Sequence, residues 1–331
     1  MLGVYPWELQ LSAQASYYRA IAQPNQYKQN PLFYQANTIW LAQLRGINYF
    51  VHMKLHTVNT GHFKLDGGAM FGVVPKSIWN KLNPADENNM CSWAMRCLLI
   101  EDGDKLILID NGIGNKQDDK FMGFYYLHGD ATLEGSLKQL GFTRHDITDV
   151  VLSHLHFDHC GGSVQWKSDR SGFELSFPNA TYWMSEAHFN WAWPSPNARE
   201  KASFLKDNIL PIYESGHAKL VQPGELVAGM EVLHVYGHTE DMMLPLINYK
   251  GKKLLFAADL IPSAGHIPLP YIMAYDMRPL QTLKEKTEIL QRAVSEDWVL
   301  YLEHDPTTEC IRLESGEKGI RVADRFALAA W

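Results

Sequence analysis

One short segment constrains this chain of 331 residues more than any other. Residues 153–162 read SHLHFDHCGG, so that three histidines and an aspartate fall between positions 154 and 159. The apolar, β-branched run at 147–152 comes directly before it and predicts a buried strand. The cluster therefore lies where a strand ends and the chain turns, the position from which loops on a rigid scaffold carry chemistry. Imidazole and carboxylate are the usual ligands of zinc and similar divalent metals, so the segment predicts a metal site.

The spacing inside the cluster supports this prediction. His154 and His156 are two positions apart, so that on an extended stretch they point to the same side. Asp158 and His159 follow as the chain curls, and we expect them to face a second position nearby. The glycine pair at 161–162 permits the tight backbone that such a turn needs.

Three later apolar runs each predict a buried strand that ends in a side chain able to bind metal. These side chains are His238, Asp259 and His304. Because candidates come from both β-rich halves of the chain, the pattern indicates an α+β protein with its site in the seam between two sheets. The repetition at strand ends makes chance clustering a poor explanation, even in a chain with 14 histidines.

The order of these motifs resembles the metallo-β-lactamase-fold hydrolase superfamily. The pattern H-x-H-x-D-H is followed by Gly-His-Thr, by an aspartate after an apolar strand and by a histidine after another, over about residues 53–310. The segment LDGGAMFGVVPK at 65–76 is similar to the N-terminal segment of quorum-quenching N-acyl-homoserine lactonase-like members, which are grouped with methyl parathion hydrolase. The resemblance implies a four-layer αββα sandwich.

Seven ligand candidates are more than one tetrahedral ion requires, and they suit two. The resemblance implies two divalent ions, zinc before iron or manganese, and a bridging hydroxide as the nucleophile. It divides the candidates into a first set (His154, His156 and His238), a second set (Asp158, His159 and His304) and a bridging Asp259. Asp158 and Asp259 are the catalytic candidates, and the proton donor to the leaving group is either His266 or, as the resemblance implies, Asp158.

The implied reaction is the opening of a lactone of the N-acyl-homoserine type. Phosphotriesterase or arylesterase activity in the same site is the alternative, and a non-catalytic metal-binding protein is the alternative of another class. Asp259 stands where the best-known zinc β-lactamases carry cysteine, which argues against antibiotic hydrolysis. Glu240 and Asp241 replace the turn residues that usually follow the Gly-His-Thr motif, which leaves the support of the His238 imidazole open.

The substrate pocket is less well marked in the sequence. Met70 and Phe71 are the candidates for its walls, because they lie in the lactonase-like segment. His266 either contacts the substrate or is an ordinary loop histidine. Tyr271 and Tyr275 are candidates for polarising a carbonyl group.

Composition limits the partners and the compartment. A net charge of -7 gives no basic footprint for nucleic acid, so we expect a small-molecule substrate. There is no run of about 18 apolar residues and no secretory signal at the N-terminus, so neither a membrane partner nor export is expected. The four cysteines are scattered, which favours reduced thiols and a cytoplasmic location over a disulfide framework.

Two parts are expected along the chain. Residues 1–52 are rich in Gln, Asn, Ala and Tyr and form an N-terminal extension. This extension is either an ordered arm, packed on the fold or on a second subunit of a homodimer, or an upstream mis-called start. Residues 53–331 form the metallo-β-lactamase-fold hydrolase domain. Within it, the stretch 199–213 predicts a helix interrupted near Pro211.

Overall fold

The strands expected from the sequence assemble into two six-stranded sheets. The computed structural model describes residues 53–331, and the predicted arm at 1–52 lies outside the described residues. The first sheet contains, from edge to edge, β1 (Lys54–Asp66), β2 (Met90–Asp102), β3 (Lys105–Ile109), β4 (Asp149–Val151), β7 (Thr181–Ser185) and β8 (Ala218–Val221). The second contains β9 (Glu231–Val235), β10 (Met242–Tyr249), β11 (Lys252–Phe256), β12 (Val299–Tyr301), β13 (Cys310–Gly316) and β14 (Gly319–Phe326).

Smaller elements connect and cover these sheets. Strands β5 (Val164–Trp166) and β6 (Phe173–Leu175) form a separate hairpin. The α-helices are α1 (Gly67–Phe71), α2 (Lys76–Trp79), α3 (Asp119–Gly123), α4 (Leu133–Gln139), α5 (Phe157–Cys160), α6 (Glu186–Ala192), α7 (Lys206–Glu214) and α8 (Pro279–Ser295). Short 3-10 turns span Gly161–Ser163, Ala258–Leu260, Ala264–His266 and Leu328–Ala330. Among residues 53–331, every helix is too short or too polar to cross a bilayer.

Alternation of side chains along the central strands accounts for the layers. On β2, Leu98 and Ile100 belong to the apolar core between the two sheets, whereas Leu99 faces the opposite way. Leu99 packs in a second core that includes Leu137 of α4 and Ile209 of α7. Helix α8 packs against the second sheet. The predicted α+β class and four-layer αββα sandwich are therefore confirmed.

The strand directions gather the candidate residues at one edge. Strands β3 and β4 are parallel in the first sheet, and β11 and β12 are parallel in the second. The carboxyl ends of parallel neighbours meet at the same edge of a sheet. The ligand-rich segment follows β4, Asp259 follows β11 and His304 follows β12, so that each sheet brings its own candidates to the seam.

The predicted helix over 199–213 is shorter than expected, since α7 begins only at Lys206. The side chain of Asn197 accepts hydrogen bonds from the backbone N–H groups of Arg199 (2.9 Å) and Glu200 (3.2 Å). Such local side-chain bonds compete with helical ones and hold this stretch as a loop. That loop brings Glu200 to the metal candidates.

Candidate metal centre

The structure places all seven predicted ligands in two adjoining groups. Within each group the ligand atoms lie within 4.8 Å of one another, and every member is buried. The first group is His154, His156, His238 and Asp259, and the second is Asp158, His159 and His304.

Three imidazole nitrogens converge in the first group. His156 Nδ1 lies 3.0 Å from His154 Nε2 and 3.2 Å from His238 Nε2. The side-chain oxygen Oδ2 of Asp259 lies 3.1 Å from that same His238 nitrogen. Nitrogens that point at one another across such distances suit a shared cation, because neutral imidazole carries only one N–H donor.

The ligand atoms of the second group also converge on one position. His159 Nε2 lies 3.2 Å from His304 Nε2. Asp158 Oδ2 lies 3.7 Å from the His159 nitrogen and 3.8 Å from the His304 nitrogen. The carboxylate and the two imidazoles therefore surround a second position that could hold an ion.

Asp259 lies between the two positions. Its Oδ2 faces His238, and its Oδ1 lies 3.0 Å from His304 Nε2. Oδ1 is buried and has no hydrogen-bond partner in the part of the chain that the structure describes. A buried carboxylate oxygen left without a donor is costly, and a shared pair of cations would satisfy it. The donor set thus fits divalent metal ions.

Each of the five imidazoles also has a partner for its outer nitrogen, which fixes its tautomer and orientation. The pairs are His154 Nδ1 with Ser153 Oγ (3.0 Å), His156 Nε2 with Glu200 Oε1 (3.3 Å), His159 Nδ1 with Asp110 Oδ2 (3.0 Å), His238 Nδ1 with Asp276 Oδ1 (2.9 Å) and His304 Nδ1 with the Ala94 carbonyl (2.7 Å).

Support for His238 therefore comes from a distant loop and not from the turn after it. Asp276 accepts from its Nδ1, and the residue next to this aspartate, Met277, donates its N–H to the His238 carbonyl at 3.0 Å. Glu240 turns away and forms an ion pair with Arg278 at 2.6 Å. The unusual turn sequence thus leaves the imidazole supported.

Carboxylates favour positive charge at the centre. Burial lowers the pKa of His238, but Asp259 and Asp276 outweigh it and raise that pKa to about 10. Burial likewise lowers the pKa of His304, and Asp259 outweighs it, which raises that pKa to about 9. In the absence of metal these imidazoles attract protons, so a dication and protons compete for the same positions.

Sequence reasoning missed three acidic residues that face the ligands, namely Glu200, Asp276 and Glu303. Glu200 is buried; burial alone would raise its pKa, but bonds from His156, Thr239 and Trp191 lower that pKa to about 2. Glu200 lies in a stretch that the sequence predicts as helix and the structure holds as a loop, and Asp276 lies in the loop before α8, so nothing local marked either as the partner of a ligand. Glu303 could have been noticed, because it directly precedes His304.

Glycines 161 and 162 are needed for close packing. A Cβ on Gly161 would lie 2.2 Å from the Ile113 carbonyl oxygen, and one on Gly162 would lie 2.2 Å from the Asn111 carbonyl oxygen. The predicted tight turn is present, and its reason is the close approach of segment 111–113 rather than a left-handed backbone.

The three predicted pocket residues are buried in the structure. Met70 is 1% exposed and Phe71 is 0% exposed. The His266 ring stacks on Phe71 at 4.4 Å between centroids, donates from Nε2 to the Met70 carbonyl at 2.9 Å and accepts at Nδ1 from Ser263. Burial lowers the pKa of His266 to about 3, so it stays neutral. Met70 and Phe71 belong to an apolar cluster that also contains Met273 and Tyr271, and their role as pocket walls stays a prediction.

Two tyrosines lie near enough to Asp158 for its charge to act on their hydroxyls. Tyr275 is 41% exposed, and Tyr125 packs its ring on Phe157, at 4.6 Å between centroids. Burial and then the charge of Asp158 raise the pKa of Tyr125 to about 12. Burial, Asp66, Tyr125 and Asp158 raise the pKa of Tyr275. Both hydroxyls therefore remain protonated donors within the field of Asp158.

Comparison with known proteins agrees with this geometry. The family model described as the metallo-beta-lactamase superfamily matches residues 96–304. The chain belongs to this superfamily, and its site groups it with the metallo-hydrolases among the members.

Two relatives indicate which members of the superfamily this chain is similar to. An N-acyl homoserine lactonase of Bacillus sp. is 25% identical over 197 residues, which cover 56% of this chain and 66% of that protein, just under two thirds of its length. A probable metallo-hydrolase of Mycobacterium tuberculosis is 22% identical over 281 residues, or 72% of this chain and 85% of that protein.

Solved structures share the fold. A probable metal-dependent hydrolase from Staphylococcus aureus matches with a TM-score of 0.75 and 26% identity, covering 84% of this chain and 97% of that one. The dizinc quorum-quenching lactonase AidC matches with a TM-score of 0.67 and 22% identity, covering 84% of this chain and 96% of that one. The resemblance to the lactonase-like branch is thus confirmed.

Proposed function

We propose that this protein is a dinuclear metal-dependent hydrolase that opens lactones, with N-acyl-homoserine lactones as the favoured substrates. The observation that carries the proposal is the placement of Asp259, whose two oxygens face the two separate groups of ligands. The Bacillus relatives, described as N-acyl homoserine lactonases, favour the lactone as the substrate class.

The residues of the site have separate roles in the proposed reaction. His154, His156 and His238 would hold one ion and Asp158, His159 and His304 the other, with Asp259 shared. Ions bound there supply Lewis acidity and lower the pKa of coordinated water towards neutrality. Asp158 Oδ2 lies 3.7 Å from His159 Nε2 and 3.8 Å from His304 Nε2, and its carboxyl group is assigned to pass a proton to the leaving alkoxide. The hydroxyls of Tyr275 and Tyr125 are assigned to the substrate carbonyl.

Phosphotriester and aryl ester hydrolysis would use the same residues, and a non-catalytic metal-binding role would need only the ligands. Ligands and outer partners are all present, which favours turnover over binding alone. The homodimer, the cytoplasmic location and the absence of nucleic-acid or membrane partners stay predictions.

A substrate panel tests the proposal. Apoprotein prepared by chelation is reloaded with zinc, manganese or iron(II) and assayed on N-hexanoyl-homoserine lactone, an aryl ester, a phosphotriester and a β-lactam. We expect the lactone to give the highest kcat/KM and the β-lactam none. Lactone turnover no faster than that of Asp259→Ala would overturn the lactonase assignment, and a faster phosphotriester would replace it.

A further inference from the structure

The carboxyl group of Glu303 is buried without a hydrogen-bonding partner. The residue is 0% exposed and lies between the end of β12 and the ligand His304. Within residues 53–331, neither of its carboxylate oxygens accepts a hydrogen bond. Its ion pair in this part of the chain is with His159, whose Nδ1 lies 3.1 Å from Glu303 Oε2.

The same His159 nitrogen already has a partner. Asp110 Oδ2 lies 3.0 Å from His159 Nδ1, and Asp110 also accepts from the backbone N–H and the hydroxyl of Ser153. The Nδ1–H of His159 therefore faces two carboxyl groups and hydrogen-bonds to one. Within the described residues, the other four ligand imidazoles each have a single outer partner: a hydroxyl, a carboxylate or a backbone carbonyl.

A buried carboxylate of this kind is stable only near positive charge, because it has lost its hydration. The guanidinium of Arg96, a residue whose backbone N–H donates to the Glu303 carbonyl, is engaged elsewhere: its Nη1 donates to the carbonyls of Leu302 (2.7 Å) and Thr308 (3.3 Å). The position surrounded by Asp158, His159 and His304 is where a compensating charge can lie.

We propose that Glu303 is a positioning residue that, together with Asp110, selectively raises the affinity of the second position, Asp158–His159–His304, for a divalent cation. The proposal rests on the two-ion centre proposed above. Negative charge at Nδ1–H increases the electron density that His159 offers at Nε2, and it attracts a dication directly. Among residues 53–331, no imidazole of the first position faces two carboxyl groups through one nitrogen, so the effect falls on one ion.

Stepwise zinc binding tests this proposal without any assay of activity. Apoprotein is titrated with zinc against a chromophoric chelator, and native mass spectrometry counts the ions per chain. In Glu303→Gln, which keeps the size of the side chain, we expect the Kd of the second zinc to rise about 10–100-fold and that of the first to change less than about 3-fold. Glu303→Asp keeps the charge and should fall between this variant and the wild type.

A matched control and a second readout separate this role from a structural one. Glu309→Gln removes a carboxylate that accepts from Thr57 and the Leu328 N–H, away from the centre, and should leave both zinc affinities unchanged. The second zinc should raise the Tm of the wild type by more than that of Glu303→Gln. A purely structural role would lower the Tm with and without zinc alike, and that result would overturn the proposal.

Different results would overturn the role of Glu303 and the two-ion centre on which it rests. Wild-type protein that binds two zinc ions, with unchanged second affinity in Glu303→Gln, would overturn the role of Glu303 alone. Wild-type protein that binds one zinc ion would overturn the two-ion centre and this inference with it.

Discussion

Asp276 accepts a hydrogen bond from His238 Nδ1 at 2.9 Å, although 38 positions separate the two residues in the chain. The aspartate lies just before α8, and the histidine lies just after β9. The orientation of this imidazole is therefore set by tertiary structure, and a change in a loop far along the sequence can reach the metal centre.

Removal of this carboxylate should weaken metal binding at the first position. In Asp276→Ala we expect the zinc Kd of the first position to rise about 10–100-fold, because the ring loses its orienting partner. Competition with a chromophoric chelator measures this Kd. Glu240→Gln is the control: its ion pair with Arg278 is partly exposed, at 26% and 38%, and its loss should change the Kd less than about 3-fold. An equal rise of the zinc Kd in both variants would contradict the role of Asp276 in orienting His238.

Close packing at Gly162 predicts a steric effect. Gly162→Ala places a Cβ 2.2 Å from the Asn111 carbonyl oxygen, so the backbone must shift. We expect a loss of about 1–3 kcal/mol in the free energy of unfolding, measured by urea denaturation of the apoprotein. In Gly172→Ala, no atom of residues 53–331 lies within 4 Å of the new Cβ, and the change should alter stability by less than about 0.5 kcal/mol. A Gly162→Ala protein as stable as Gly172→Ala would show that the segment 111–113 is free to move.

Lys286 predicts a pH dependence of stability. Its ammonium donates to the carbonyls of Pro268 (2.8 Å) and Tyr271 (3.0 Å), and burial lowers its pKa from 10.5 to about 7 although Asp276 opposes the shift. Between these pH values the unfolded chain holds a proton that the folded protein has lost, so stability rises with pH there.

Urea denaturation of the wild type and Lys286→Met at several pH values from 7 to 10 measures this dependence. The free energy of unfolding of the wild type should rise relative to that of Lys286→Met by up to about 1.4 kcal/mol per pH unit. A difference that stays constant across this range would contradict a lowered pKa at Lys286.

Phe71 and Tyr275 should separate stability from catalysis. Phe71 is stacked on Trp79 and His266, at 5.5 Å and 4.4 Å between centroids, so Phe71→Leu should cost about 1–3 kcal/mol of stability. Tyr275→Phe removes one hydroxyl from a residue that is 41% exposed and should leave the Tm unchanged. On the lactone its kcat/KM should fall about 10-fold, the loss of one hydrogen bond to the reacting carbonyl. Unchanged kcat/KM would exclude Tyr275 from the reaction.

Strands and ligands were predictable because they obey local rules. The alternation of Leu98, Leu99 and Ile100 sets the two faces of β2, and parallel strands bring their carboxyl ends to one edge, which places the ligand-rich segment and Asp259. Glu200 was not predictable, because its loop exists through bonds made by Asn197 that replace an expected helix. Met70 and Phe71 were expected to form pocket walls, and only the packed structure shows that Trp79, Trp93 and His266 enclose Phe71.

The central claim is tested most directly by the rate of N-hexanoyl-homoserine lactone hydrolysis as zinc is added stepwise to the apoprotein. We predict almost no hydrolysis without zinc, a maximum when the second zinc per chain is bound, and no recovery in Asp259→Asn at the same zinc concentration. Wild-type protein that holds two zinc ions and opens the lactone no faster than Asp259→Asn would contradict it.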